Sequence, residues 1–382
     1  MLGHVAIEEN VSVRSFYRRP LPPRVVAFSS NLGRKAFQEA LLGGTMENYF
    51  GLSEQFHTQA DPAFCGLGSL VVALNALGVD PGRLWKGPWR WFDETLLDCC
   101  IPLETVRERG VTMRELACLA ECNGARADTT HAATSTEDDL RQMIASNARA
   151  AHGSVIIAGY DRATLGQTGT GHFSPIAGYH EGHDWALVLD VARFKYPPHW
   201  VPIPELFRAM LPEDPRSKRS RGWILLTPGR TPRPVLFSMG APRSGWRAVL
   251  EELREAAHAV EAPPSARAWV LALASSQHVL ADVVAPIVEG QGADIALEHR
   301  VHIDALIADI RATELIADAE NALASRGGTA DKTVSTVELA AHVAEVIVVL
   351  ALVLSGDTSR AQGSTLAAEV SALRRQLEAV CG

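Results

Sequence analysis

Apolar positions change their period near residue 230. Before that point short apolar runs are separated by Gly, Pro and Asp; after it they recur at the three-to-four spacing of a helix. Four runs in the first part, SVIIAGY (154–160), FSPIAGYH (173–180), WALVLDVA (185–192) and GWILLT (222–227), are short, rich in apolar residues and bounded by Gly or Asp turns, and so predict strands. An earlier stretch, FCGLGSLVVALNALGVD (64–80), has helical spacing and ends on a Gly-Val-Asp-Pro stop, and predicts a helix. Helices followed by a late run of strands point to an α+β layer architecture, and not to the alternating βαβ order of a nucleotide-binding sheet.

The second part opens with TPGRTPRP, a Pro-rich linker, and 31 of the 152 residues from 231 onward are Ala. Residues 246–261, 266–281, 302–325 and 335–354 each predict a helix, with breaks at Gly327-Gly328 and Ser355-Gly356-Asp357. Two domains are therefore expected, an α+β domain over 1–228 and an all-α domain over 229–382.

Composition narrows the partners. At 47% hydrophobic and 21% charged, with a mean hydropathy of +0.03, the chain has the balance of a folded globular protein. A formal charge of −8 repels phosphate backbones and anionic lipid, so neither nucleic acid nor a membrane surface is expected. The longest apolar run, 346–354, is nine residues, short of the ~20 needed to span a bilayer. The first fifteen residues carry Glu8 and Glu9 and no continuous apolar core of export-signal length, which predicts a cytoplasmic protein. Its six cysteines, Cys65, Cys99, Cys100, Cys118, Cys122 and Cys381, are accordingly expected as reduced thiols.

Cys65 follows Asp61-Pro62 and directly precedes an apolar helical run, which places its sulfur in a first helical turn, where unpaired N–H groups and the helix dipole favour a thiolate. A lone cysteine there is more often a buried structural residue. Three further residues tilt the reading towards chemistry. Gln59, six residues upstream, can supply a side-chain amide to an oxyanion. His172 sits in the glycine-rich turn QTGTGH and begins a strand able to aim its ring. Asp190 ends the apolar strand WALVLD eighteen residues on, where a hairpin would lay it beside His172 to orient the imidazole. In the order Gln, Cys, His, Asp, these residues resemble the papain-like thiol peptidase arrangement.

Wider wording is more specific. FYRRPLP (16–22), AFSSNLGRKAFQEAL (27–41), QADPAFCGLGSLVVALNALGVDP (59–81), WKGPWRWFDETLLDCC (85–100), GHFSPIAGY (171–179) and LDVARFKYPPHWVP (189–202) resemble phytochelatin synthase, over residues 16 to 227. The resemblance implies a papain-like catalytic domain and a γ-glutamylcysteine dipeptidyltranspeptidase. The cysteine attacks the Cys–Gly bond of glutathione, glycine leaves, and the acyl group passes from the thioester to a second glutathione or a growing phytochelatin. Carried over, Cys65 is the nucleophile, His172 the general base and acid, Asp190 its orienter and Gln59 the oxyanion donor. Hydrolysis of glutathione or its S-conjugates to γ-glutamylcysteine forms is the alternative reaction, and a non-catalytic metal-binding protein the alternative class.

Glutathione presents two carboxylates and an ammonium, so its pocket needs Arg and an acidic group. Arg193, Tyr196, Asp214, Arg221 and Gly171 are the candidates for substrate binding. Cys99, Cys100, Cys118 and Cys122 are candidate ligands for soft metal, or structural residues; were 112–122 a helix, Cys118 and Cys122 would share one face. The resemblance implies no organic cofactor, and activation by Cd, Zn or Cu ions arriving as the metal–glutathione thiolate. The tail departs from the plant pattern of many C-terminal cysteines, since it holds only Cys381; its His299 and His302 are the closest histidine pair. A stabilising or homodimer-forming role is expected for it.

Overall fold

The computed structural model describes residues 18–81, 85–229, 237–239, 242, 246–286, 297–325, 342–361 and 363–381. Its centre is a seven-stranded antiparallel sheet formed by β1 (Val26–Ala27), β2 (Ala125–His131), β3 (Val155–Asp161), β4 (Gly171–His180), β5 (Trp185–Val188), β6 (His199–Pro202) and β7 (Gly222–Pro228), in the order β1-β6-β5-β4-β3-β7-β2. The four expected strands are present. β1, β2 and β6 are additions: β1 and β2 form the sheet edges, and β2, with sequence ARADTTH, is largely polar and half exposed.

Both sheet faces are covered, which is why the central strands read as nearly continuous apolar runs. Val155 and Ile157 of β3, Leu187 of β5, and Ile224 and Leu226 of β7 point to one core, shared with α1 (Asn31–Leu42), α2 (Glu47–Gln55), α3 (Cys65–Ala76), α4 (Leu103–Arg109) and α5 (Met113–Cys122). Ile156, Ala158 and Tyr160, with Ala186, Val188 and Trp223, face the opposite core beneath α6 (Glu137–Ala148) and α7 (Ile203–Met210). The period-2 alternation of a strand thus sorts one apolar run into two cores.

Local signals fix the helix ends. Thr112 and Thr136 open α5 and α6 as capping boxes with Glu115 and Asp139. Gly110 closes α4 at φ 66°, a conformation a side chain would strain. Within α3, a Cβ on Gly66 would lie 2.4 Å from Val111 Cγ2, so glycine there lets the helix lie against the turn that leads into α5.

The later residues build a separate apolar core. It contains α8 (Trp246–Val260), α9 (Ala266–Ser275), α10 (Gln277–Val283), α11 (Leu297–Arg311), α12 (Leu315–Ala324), α13 (Val343–Ser355) and α14 (Ser364–Cys381). The region is helical but not wholly so: β8 (Phe237–Met239) pairs with β9 (Val284–Pro286), and Phe237 and Met239 are buried in the helical core. The expected 302–325 helix is two helices, and the expected 335–354 helix starts, among the described residues, at Val343. Gly327-Gly328 and most of the Pro-rich linker lie outside the described residues, as do the side chains of His299 and Cys381. Helix α14 lies against α5, joining the helical region to the sheet region. Among the described residues no helix is long and apolar enough to cross a membrane.

Candidate active site

The hairpin from β3 to β5 organises the site. β4 pairs with both neighbours, and Leu189 donates its N–H to the Pro175 carbonyl (3.0 Å), which carries the chain past the end of β5 and sets Asp190 alongside the start of β4. There His172 Nε2 lies 2.9 Å from Asp190 Oδ1, with His172 and Asp190 both buried. An ionised carboxylate accepts only, so Nε2 carries the proton and Nδ1 is the nitrogen left to act as a base.

Cys65 is the first residue of α3, as expected from Asp61-Pro62, and lines one cavity of about 360 Å³ with His172, Gly171, Thr170, Phe173 and Val111. Its thiol does not have the lowered pKa that a helix start alone would give. Burial pushes it up, against the backbone N–H groups of Phe173 and Gly66 and the charge of Arg162, which favour the thiolate. Burial, helped by Arg162, pulls His172 down to about 4, against the attraction of Asp190. Both shifts favour the neutral thiol and neutral imidazole over the ion pair.

Arg162 is the residue that the sequence did not reveal. It is buried at the end of β3 and its Nη2 lies 2.9 Å from Asp190 Oδ1 and 2.8 Å from Oδ2. Its Nη1 donates to Gln167 Oε1 (2.5 Å), whose Nε2 donates to His199 Nε2 (3.1 Å), while His199 Nδ1 donates to the Pro197 carbonyl (2.7 Å). Against the cost of burial, His172 and Arg162 hold the Asp190 carboxyl well below the usual carboxylate range. Each link from His199 to His172 has a donor facing an acceptor, while Asp190 Oδ2 has only its 2.8 Å ion-pair contact with Arg162 Nη2 and no hydrogen bond.

Gln59 is buried near Cys65, but its Nε2 donates to the carbonyls of Asp61 (2.8 Å) and Pro62 (3.0 Å), while Oε1 has no partner. Both N–H groups thus brace the turn before α3, where an oxyanion donor would have one free.

The substrate candidates divide. Gly171, Asp214 and Arg221 line the cavity; Arg193 and Tyr196 do not. Arg193 lies over the Phe56 ring (5.0 Å), whereas Tyr196 accepts from Thr168 N–H (2.8 Å) and carries Arg162 over its ring (5.0 Å). Arg221 Nη1 donates to the Pro212 and Glu213 carbonyls, and its other edge lies where a Cβ on Gly171 would come within 3.3 Å of Nη2. Asp214 Oδ1 accepts from the backbone of Arg216 and Ser217, shaping the turn that forms one cavity wall. Two further arginines, Arg109 and Arg216, join Arg221 in the lining.

Four of the remaining cysteines correct the expectation of reduced thiols. Cys99 is bonded to Cys122 and Cys100 to Cys118. The helical spacing of Cys118 and Cys122 turns both sulfurs to one face of α5, against the vicinal Cys99-Cys100 pair. As disulfides they offer no thiolate to a metal. Two groups in the described residues have donor atoms close enough together for an ion, Cys99/Cys100/Cys122 and Glu39/His180/His183. In the second, His180 Nε2 lies 2.9 Å from Glu39 and Nδ1 accepts the His183 N–H (3.0 Å).

A family model described as Phytochelatin synthase matches residues 16–223. Glutathione gamma-glutamylcysteinyltransferase 1 of Lotus japonicus is 47% identical over 247 residues, 64% of this chain and 48% of that protein. The like-named protein 1 of Arabidopsis thaliana is 47% identical over 247 residues, covering 64% and 50%. Glutathione gamma-glutamylcysteinyltransferase of Schizosaccharomyces pombe is 45% identical over 248 residues, covering 65% and 59%. The chain thus spans about half the length of the curated relatives it matches.

Proposed function

Because the chain belongs to the phytochelatin synthase family, we propose that it is a γ-glutamylcysteine dipeptidyltranspeptidase acting on glutathione through a papain-like catalytic domain at 1–228. The observation that carries this reading is the cavity shared by Cys65 and His172, with His172 hydrogen-bonded to buried Asp190.

Glutathione binds with its γ-glutamyl head against Asp214 and Arg221, an acidic and a basic group suited to an ammonium and a carboxylate. The Cys65 thiol passes its proton to His172 Nδ1 as sulfur attacks the carbonyl of the Cys–Gly bond. His172 returns that proton to the departing glycine amine, and a thioester remains on Cys65. The amine of a second glutathione, or of a growing phytochelatin, then attacks the thioester, its proton passing to His172 and then to the Cys65 sulfur as it leaves. Asp190 keeps Nε2 protonated throughout, so that Nδ1 always faces the chemistry. Gln59 contributes to the oxyanion site only if it releases one of its two carbonyls. Tyr196 acts indirectly, by supporting Arg162.

Heavy metal ions, Cd, Zn or Cu, enter this reading as the metal–glutathione thiolate, a substrate. A cytoplasmic setting belongs to the same reading, since it holds a glutathione pool; the Cys99–Cys122 and Cys100–Cys118 disulfides stand against it, because such a pool keeps thiols reduced. The helical region at 229–382 supports the catalytic domain.

Mass spectrometry of products after incubation with glutathione, with and without Cd²⁺, tests the proposal. Oligomers of γ-glutamylcysteine ending in glycine, absent with Cys65→Ser, support it. Release of γ-glutamylcysteine and glycine alone makes the protein a peptidase, and release of no glycine refutes catalysis on glutathione.

A further inference from the structure

One carboxylate ties three separate segments of the cavity rim together. Glu115 Oε1 accepts from Arg109 Nη1 (3.0 Å) and Arg216 Nη2 (2.8 Å); Oε2 accepts from Arg216 Nη2 (2.7 Å) and the Thr112 N–H (2.7 Å). Arg216 Nη1 also donates to the carbonyls of Arg109 and Gly110, both at 3.2 Å, capping the end of α4. Arg109, Gly110 and Arg216 all line the cavity that holds Cys65, and Glu115 stands just behind them.

Resting on the transpeptidase reading, we propose that Glu115 is a positioning residue for glutathione: it locks the 212–221 loop, with Asp214 and Arg221, onto the α4–α5 turn and holds Arg109 and Arg216 at the cavity mouth.

Two guanidiniums brought to one rim repel each other unless a shared carboxylate intervenes. Glu115 supplies it from the first turn of α5, whose capping box with Thr112 fixes its direction. From the other side, the Asp214 turn aims Arg216 at the same point. The side chains involved are between 25% and 38% exposed, so each pair taken alone contributes little stability. What the carboxylate adds is geometry: the loop that bears both head-group residues cannot shift without breaking bonds to two other segments. A glutathione carrying two carboxylates meets a rim with three guanidiniums and a balance of charge that Glu115 and Asp214 set.

The role makes substrate binding, rather than acyl transfer, the quantity that depends on Glu115. Glu115→Ala and Arg216→Ala are each expected to raise the KM for glutathione about tenfold, with kcat for glycine release changed less than about threefold. The double variant should be no worse than either single one, because both remove the same clamp. Thr112→Ala, which weakens the same helix cap but frees neither arginine, should lower the thermal midpoint and leave KM unchanged. Calorimetric binding of glutathione to these substitutions in a Cys65→Ser background reads the same effect without turnover. A KM for Glu115→Ala within twofold of the wild type overturns the role, as does an equal rise with Thr112→Ala, or additive effects of Glu115→Ala and Arg216→Ala. Wild-type protein that neither binds glutathione nor releases glycine removes the transpeptidase premise; one that does both while Glu115→Ala behaves normally removes the clamp alone.

Discussion

Arg162 and Asp190 form a buried ion pair in which one Nη2 lies within 2.9 Å of both carboxylate oxygens. The carboxylate that orients the His172 imidazole is therefore shared with a permanent cation. Burial first, and the nearby Arg162 charge second, leave His172 a weak base, so that a thiolate–imidazolium pair is disfavoured before substrate arrives.

Removing that cation strands a buried carboxylate. Arg162→Met should cost about 3–5 kcal/mol of stability in chemical denaturation, the usual penalty for breaking a buried pair from one side. It should also shift the acidic limb of kcat/KM for glycine release upward in pH, because a cation that lowers His172 has gone. A stability loss with an unmoved limb would mean that Arg162 acts on packing alone.

His172 makes stability depend on pH. Its folded value, about 4, lies below its ordinary 6.5, so the folded state binds fewer protons than the unfolded one. Its contribution is complete above about pH 6.5 and is lost as pH falls towards 4. The thermal midpoint should fall across that window, and His172→Gln should flatten the slope. Buried His199, lowered in the same direction, should keep part of it.

Thiol counting checks the cysteine pairing. With both disulfides intact, reduction and denaturation should raise the thiols titrated by a chromogenic disulfide by four over denaturation alone. An unchanged count would show four free sulfurs gathered at α5, and would reopen that cluster to soft metal.

Cys65→Ser should abolish glycine release with little change in thermal midpoint, since the exchange is small and the residue, though largely buried, lines the cavity. Turnover near the wild-type value would remove the nucleophile assignment.

The reacting groups were legible because each stands where a strong pattern starts or stops: Cys65 at the head of an apolar helix, His172 and Asp190 at the ends of apolar strands. Arg162 was not, since a single Arg entering the turn ATLGQTGTG reads as a solvated loop residue. The signal lay in register. β3 pairs Tyr160 with His172, which places the residue two beyond Tyr160 within reach of whatever His172 contacts. Glu115 was hidden for a similar reason, because a capping glutamate already has a local explanation. β2 escaped because its residues are mostly polar and it lies at an edge, where burial imposes little alternation. The disulfides depend on Cys99-Cys100 meeting α5 across 18 and 23 residues, a proximity that spacing alone does not encode.

Helix α5 begins at the Glu115 clamp, carries two of the four bonded cysteines and lies against α14. Ten residues long, it is a rod of about 15 Å. Rods transmit tilt: a change of angle imposed where the C-terminal helix leans on it would arrive at the cavity mouth as a displacement of the rim. Among its described residues the tail places no side chain in the cavity lining, so a link from it to the rim runs through α5.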